Sequence, residues 1–190
     1  RYGKGKWYST YIISLGIGQG ELLLTTLQMA NVACVLGNRG FYITPHIVKQ
    51  LDHPTEALDP IRLKRQDSSI EPQYFDAVVE GMKLVVTAGT GRQAQNRFTP
   101  VAGKTGTVQN PFGEDHSTFI GFSPTEKPSI AVSVYVENAG GGGSFAAPIA
   151  GLIMEKYTNG EISQEKIWIE DRMLNTTLIE EVTTNESDED

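Results

Sequence analysis

Val101-Ala102-Gly103-Lys104-Thr105-Gly106-Thr107-Val108-Gln109 decides how this chain is read, because here the spacing of apolar residues changes from helical to extended. Two more segments of strand length follow, Ser117–Ser123 and Ser129–Glu137. They are separated by Asn110-Pro111-Phe112-Gly113-Glu114-Asp115 and by Pro124-Thr125-Glu126-Lys127-Pro128, both rich in turn-forming residues. Connections this short predict an antiparallel meander of three strands.

The flanks of the meander read as helices. Thr25 or Thr26 is placed to cap a helix through Leu27, Ala30, Val32, Ala33, Cys34, Val35 and Leu36, which stops at Gly37-Asn38-Arg39-Gly40. Its apolar residues lie on most sides, which predicts a buried helix with Cys34 as a small core side chain. A second helix starts near Glu71-Pro72, with Tyr74 or Phe75, Val78, Met82 and Val85 on one face, and ends at Ala88-Gly89-Thr90-Gly91. After the four-glycine run Gly140–Gly143, Phe145–Tyr157 reads as an amphipathic helix with Ile149, Leu152, Ile153 and Met154 on its stripe, closed by Asn159-Gly160. The remaining stretches are less regular. Residues 1–20 read as a glycine-rich loop feeding the first helix, Phe41–Leu51 as a short edge strand, and Asp52–Ser69 as a polar connection. The sum is an α+β architecture, an antiparallel sheet packed against helices.

Composition narrows the function. At 190 residues and 39% hydrophobic the chain is sized for one domain, and a net charge of −7 gives no basic footprint for nucleic acid. A single Cys34 rules out an intrachain disulfide, and His46, His53 and His116 are too scattered for a metal quartet, so no metal or other cofactor is expected. No apolar run reaches the length of a membrane-spanning helix. The chain opens at Arg1 without a Met, in a stretch that reads as structured, as expected of a piece of a longer protein.

Lys104-Thr105-Gly106-Thr107 is the sharpest chemical signal. Alone it is weak, since such a triplet arises by chance in roughly one chain in ten of this size. On a strand, however, Lys104 and the threonine hydroxyls line one edge with a cation and donors, and Gly106 clears room for a ligand backbone. That suits an extended peptide carrying a carboxylate. Gly103-Lys104-Thr105 also ends the phosphate-loop pattern, but Phe98 stands where its first glycine belongs and no helix follows. Gly16, Gly18 and Gly20 miss the dinucleotide fingerprint at Glu21. His116, at the start of the next strand, reads as a turn-positioning or surface residue rather than a catalytic one.

Val101–Gln109 resembles the third-motif strand of the penicillin-binding proteins, where K-T-G accompanies an S-x-x-K nucleophile. Ser14-Leu15-Gly16-Ile17-Gly18-Gln19-Gly20-Glu21, running on through Thr25–Ala30, is similar to the loop and helix preceding that strand in the elongation-type class B transpeptidases. Asn38-Arg39-Gly40-Phe41-Tyr42, Pro45–Val48 and His116–Pro124 are similar to later family segments. So are Val136-Glu137-Asn138, the glycine run and Ala146–Ala150. The likeness spans about residues 11–157.

The resemblance implies that residues 1–158 are the C-terminal part of a transpeptidase domain of the penicillin-binding and β-lactamase-like fold. Residues 159–190 then form an extension, acidic and disordered at its end. The implied activity is peptidoglycan D,D-transpeptidation, with the nucleophilic serine outside this chain, because no serine here has a lysine at the third position after it. The implied roles put Lys104, Thr105, Gly106 and Thr107 at the catalytic wall, with Thr105 and Thr107 binding the carboxylate of a stem peptide or β-lactam. They put Thr107 N–H in the oxyanion hole. Implied partners are the peptidoglycan stem peptide, β-lactams and membrane proteins of the elongation machinery, with an inner-membrane anchor upstream and a periplasmic catalytic domain. A β-lactam sensor or β-lactamase relative, which the Gly16–Gln28 stretch argues against, and a non-catalytic scaffold of the same fold are the alternatives.

Overall fold

A computed structural model of the chain describes residues 4, 6–18, 20, 22–47 and 64–178. The elements in order are α1 (Ser9–Gly16), α2 (Thr26–Gly37), β1 (Phe41–Ile43), β2 (Arg65–Asp67), α3 (Gln73–Thr87), β3 (Ala102–Val108), β4 (His116–Ser123), β5 (Ile130–Val136), α4 (Ala146–Asn159) and α5 (Ile167–Asn175). The meander forms as expected: β3, β4 and β5 pair antiparallel in that order, with Thr105 opposite Phe119 and Phe119 opposite Val134.

Strand alternation gives the sheet two working faces. Phe119 and Val132 face α4, where Ala146, Ala147, Ala150 and Met154 complete one core cluster with Val86, Ala94 and Val101. Ala102 and Phe122 face the other way and pack with Val79, Met82, Leu36 and Ala131. The alanines and Gly151 of α4 allow close approach: a Cβ on Gly151 would lie 2.8 Å from Ala94 Cα.

Local chemistry explains where the helices begin and end. Thr25 and Gln28 form a reciprocal cap on α2, the Thr25 hydroxyl accepting from Gln28 N–H at 3.2 Å and the Gln28 side chain accepting from Thr25 N–H at 2.8 Å. Gly40, at φ 117°, turns the chain out of α2 while its N–H donates to Val35 O at 2.8 Å. Gly160, at φ 86°, ends α4 in the same manner.

Several expectations need correction. Residues 9–16 form helix α1 rather than loop, because the glycines that suggested a loop only flank the apolar run Tyr11-Ile12-Ile13. Helix α2 is not buried all round: Ala33 and Gly37 are, while Leu27 is 62% exposed, since only one of its apolar faces meets the sheet. On α3 the buried stripe is Phe75, Val79, Met82 and Val86. Of the face expected there, Phe75 and Met82 are correct, while Tyr74 and Val78 face outward and Val85 is half-buried. Both stripes are apolar, and contact with the sheet selects between them. On α4, Leu152 and Met154 are buried but Ile153 is exposed. Among the described residues, the strand expected over Phe41–Leu51 covers Phe41–Ile43 and pairs with β2, which lies in the stretch read as a polar connection. Residues 48–63 and the acidic end from residue 179 lie outside the described residues. The short helix α5 was not anticipated.

The segment after α4 is fastened by charge. Glu155 is fully buried on α4, with Lys166 Nζ 2.7 Å from its carboxylate and Ser163 N–H donating to it at 2.9 Å. Burial pushes the Glu155 carboxyl upward, and the hydrogen bonds from Lys166 and Ser163 outweigh it, holding the group below the usual carboxylate range. Glu155→Gln strands the Lys166 charge and is expected to destabilise the folded protein by about 3–5 kcal/mol in denaturant unfolding. A carboxyl depressed in the folded state contributes stability that is complete above its unfolded value of about 4.3 and is lost as pH falls through the folded one. Wild-type and E155Q stabilities should therefore converge on acidification, and parallel curves would show that the pair contributes nothing.

Candidate active site

Strand β3 is an edge of the sheet, and it carries Lys104, Thr105, Gly106 and Thr107 past the end of the helical cover. Alternation puts Thr105 and Thr107 on the α4 face and Lys104 and Gly106 on the other. Lys104 is exposed, and around it Thr118, Ile120 and Tyr135 are exposed or half-buried. The Lys104 ammonium folds back along the strand to donate to the Thr105 carbonyl at 2.6 Å. That carbonyl therefore points to the open edge. Since edge-facing residues alternate in an antiparallel strand, the N–H of Thr107 points there too.

The hydroxyls have their own neighbours. Thr105 is 8% exposed, and its Oγ1 lies 2.6 Å from that of Thr90, in the loop that follows α3. This contact places Gly89-Thr90-Gly91 beside the strand. Gly91 sits tightly in that loop, since a Cβ there would lie 3.1 Å from Val85 Cγ1 and 3.4 Å from the Phe119 ring.

The glycine run closes the other side. A Cβ on Gly142 would fall 2.4 Å from Gly106 O and 2.6 Å from Thr118 O, so only glycine lets this loop lie against the backbone of β3 and β4. A Cβ on Gly143 would fall 2.8 Å from Thr90 O. The fully buried Ser117 fastens the loop: its hydroxyl donates to Gly141 O at 3.0 Å and accepts from Ala146 N–H at 3.0 Å. Of the two roles open to His116, it has a turn-positioning contact, its Nδ1 accepting from Asn138 N–H at 3.0 Å.

The arrangement is an open trough along the edge of β3, with hydroxyls from the strand itself and from the loop after α3, a nearby ammonium and an outward N–H. It can hold a carboxylate and pair with an extended peptide. Among the described residues, no serine hydroxyl is hydrogen-bonded to a lysine amine or an imidazole, and no group of side chains could hold a metal. Burial pushes the Cys34 thiol up, away from thiolate. The sequence reading missed Ser117; its buried position opposite Thr107 in the register was its one signal.

Ser117→Ala leaves two backbone groups without their partner and is expected to cost about 1–3 kcal/mol. It should also speed hydrogen exchange at the Ala146 amide. Unchanged exchange would mean that the glycine loop is held by other contacts.

Comparison with known proteins completes the description. Residues 2–155 match the model of the penicillin binding protein transpeptidase domain. The peptidoglycan D,D-transpeptidase MrdA of Haemophilus influenzae is 37% identical over 85% of this chain and 28% of its own length. Among solved structures, penicillin-binding protein 2 of Pseudomonas aeruginosa superposes with a TM-score of 0.70 at 34% identity, covering 85% of this chain and 36% of that one. Penicillin-binding protein 2 of Helicobacter pylori, solved in complex with MreC, has a TM-score of 0.62 at 25% identity, covering 82% of this chain and 28% of that one. This chain therefore spans less than a third of the length of the curated relative.

Proposed function

This chain belongs to the penicillin-binding protein transpeptidase domain family, and from that membership we propose that it supplies one wall of a serine D,D-transpeptidase that cross-links peptidoglycan. The observation that carries the reading is the open edge of β3, where Lys104, Thr105 and Thr107 lie together with Thr90 at 2.6 Å from Thr105.

In the whole enzyme a serine contributed from outside this chain attacks the penultimate D-alanyl carbonyl of a stem peptide. The serine proton passes to a base, the carbonyl oxygen becomes an oxyanion, and the amide C–N bond breaks as the leaving amine is protonated. Terminal D-alanine departs and an ester remains. An amine of a neighbouring strand then attacks that ester and expels the serine oxygen, which forms the cross-link. A β-lactam enters the same way, but its ring opens without releasing a leaving group, so the ester persists.

Each residue of the wall has a task in this scheme. Thr105 and Thr107 hydroxyls bind the substrate or drug carboxylate, and Thr90 orients the Thr105 hydroxyl. Lys104 supplies positive potential beside the carboxylate and toward the serine. Thr107 N–H is one donor of the oxyanion hole, the serine's own N–H being the other. Gly106 leaves clearance for the ligand backbone.

The exposed apolar side chains of α1, of α2 and of the residues just before α2, among them Ile12, Ile13, Leu23 and Leu27, suit a surface covered by the upstream part of the domain. The open edge of β5 suits continuation of the sheet by upstream strands. Peptidoglycan as substrate favours a membrane-anchored protein with its catalytic domain in the periplasm. The Helicobacter pylori neighbour, solved with MreC, favours a membrane protein of the elongation machinery as partner. Among the described residues no helix is long and apolar enough to cross a membrane.

Fluorescent penicillin tests the reading. The chain extended upstream through the whole domain should be labelled, and this chain alone should not. In the extended protein Lys104→Met is expected to lower acylation by about a hundredfold or more, the scale of losing one preorganised electrostatic partner. Labelling unaffected by K104M would sink the assignment of Lys104. A folded extended protein that takes no label would move the reading to a non-catalytic scaffold.

A further inference from the structure

The family match ends at residue 155, yet the residues that follow are tied back to both loops that frame β3. Lys166, with a side chain 12% exposed, is held by the fully buried Glu155 and donates onward to the backbone carbonyl of Gln95. The Gln95 side-chain amide in turn donates to Val86 O at 3.0 Å and Thr87 O at 3.2 Å, in the last turn of α3. Lys166 and Gln95 together therefore grip both ends of the turn that carries Thr90. Arg97, two residues on, is tied to Glu165 at 3.0 Å.

The far end of the same segment reaches the other loop. Arg172 on α5 donates to Ser144 O at 3.2 Å, just past the glycine run. Through Gly143, packed on the Thr90 carbonyl, the two loops also touch each other.

Simple docking of α5 would not require this. Ile169 of α5 is buried and supplies an apolar anchor, whereas taking Glu155 and Lys166 out of water carries a desolvation cost that an apolar pair of similar volume avoids. What the ion pair adds is direction: a fixed ammonium aimed at one backbone carbonyl of the loop. Exposed loops with few contacts open locally at low free-energy cost, and Thr90 is itself exposed. A directed tie at Gln95 restrains the loop where packing cannot.

We propose that residues 161–175 form a brace that holds the Thr90 turn and the glycine loop against β3, with Lys166 as a positioning residue for the carboxylate end of the cleft. The inference rests on the carboxylate-binding role of Thr105, and on Thr90 as the residue that orients its hydroxyl, both argued above. Lys166 touches no substrate and acts by keeping the Thr90 hydroxyl within reach of Thr105.

The test uses the whole enzyme, with penicillin acylation resolved into a pre-acylation dissociation constant and a rate constant at saturation, at a temperature where circular dichroism shows every variant folded. Lys166→Met is expected to raise the dissociation constant by about three- to thirtyfold and to leave the saturated rate within about twofold. Lys166→Arg should restore part of the loss. Thr90→Val should weaken binding by itself, and the Thr90→Val/Lys166→Met double variant should be no weaker than the worse single one, because both act on one hydroxyl. An unchanged dissociation constant in K166M, or single effects that multiply in the double variant, overturns the brace. If K166M does not fold, Arg172→Ala, which cuts the exposed tie to Ser144 and a contact with the Trp168 ring on its own helix, should still raise the dissociation constant about two- to threefold, and no change there overturns the brace as well. Wild-type enzyme that is not acylated at all overturns the underlying reading, and the brace with it; normal wild-type acylation with indifferent variants overturns the brace alone.

Discussion

The ring of Phe119 occupies the space of two missing side chains, and much of the molecule is arranged around it. It is fully buried, and a Cβ built on Gly103 would lie 2.1 Å from its ring, one on Gly121 2.7 Å. Glycine at 103 is thus required by packing across the sheet, one residue before Lys104. With the ring lying flat over both glycines, α4 approaches the sheet through alanines, and its first turn is brought over Ser117. The same buried hydroxyl that receives the Ala146 amide then anchors the glycine loop. One aromatic side chain on β4 sets the height of the helix, and the helix sets where the loop meets Gly106.

What could be read from the sequence follows from how locally each feature is determined. The strands alternate and are separated by proline, asparagine and glycine, so period and turns agree and the meander is legible. The α2 cap is a four-residue matter, with Thr25 and Gln28 satisfying each other. The buried face of α3 is not local. Tyr74 and Val78 make as good a stripe as Phe75 and Val79, and only a sheet that is absent from the helix's own sequence selects the second. Helix α2 shows the converse error: apolar on most sides, it invites burial all round, whereas one face of it is open among the described residues. Helix α5 is short and mixed in polarity, and Glu155, on another element, fixes the residues that lead into it through Ser163 and Lys166.

The candidate site divides along the same line. Lys104-Thr105-Gly106-Thr107 is contiguous, so a motif can be seen in it. Thr90 reaches the motif only because α3 ends where its last turn is held by Gln95. Ser117 is a serine in a strand until the register places it opposite Thr107. Gly142 is one glycine of four until the 2.4 Å approach to Gly106 O distinguishes it. A sequence displays chemistry that lies along the chain; it conceals chemistry assembled across it.

The placement of Lys104 joins the edge to its use. A strand edge with free carbonyl and amide groups is an invitation to pair with any passing extended chain, and lysine on the edge is one of the ways proteins discourage that. Here the ammonium goes further and covers the Thr105 carbonyl at 2.6 Å, an acceptor that an extended peptide laid along β3 would need. On the proposed reading the two tasks of Lys104 are therefore successive. In the empty trough it guards the edge against unspecific pairing; when a stem peptide arrives, the peptide's own N–H replaces it on the carbonyl and the ammonium is released toward the carboxylate and the serine. The exchange trades one hydrogen bond for another, so its cost is small, and only a ligand that offers both a backbone donor and a negative charge satisfies both ends of it. A chain without the carboxylate would displace Lys104 and give it nothing in return. On that reading, selectivity for the acidic end of the substrate is built into the same side chain that covers the open edge.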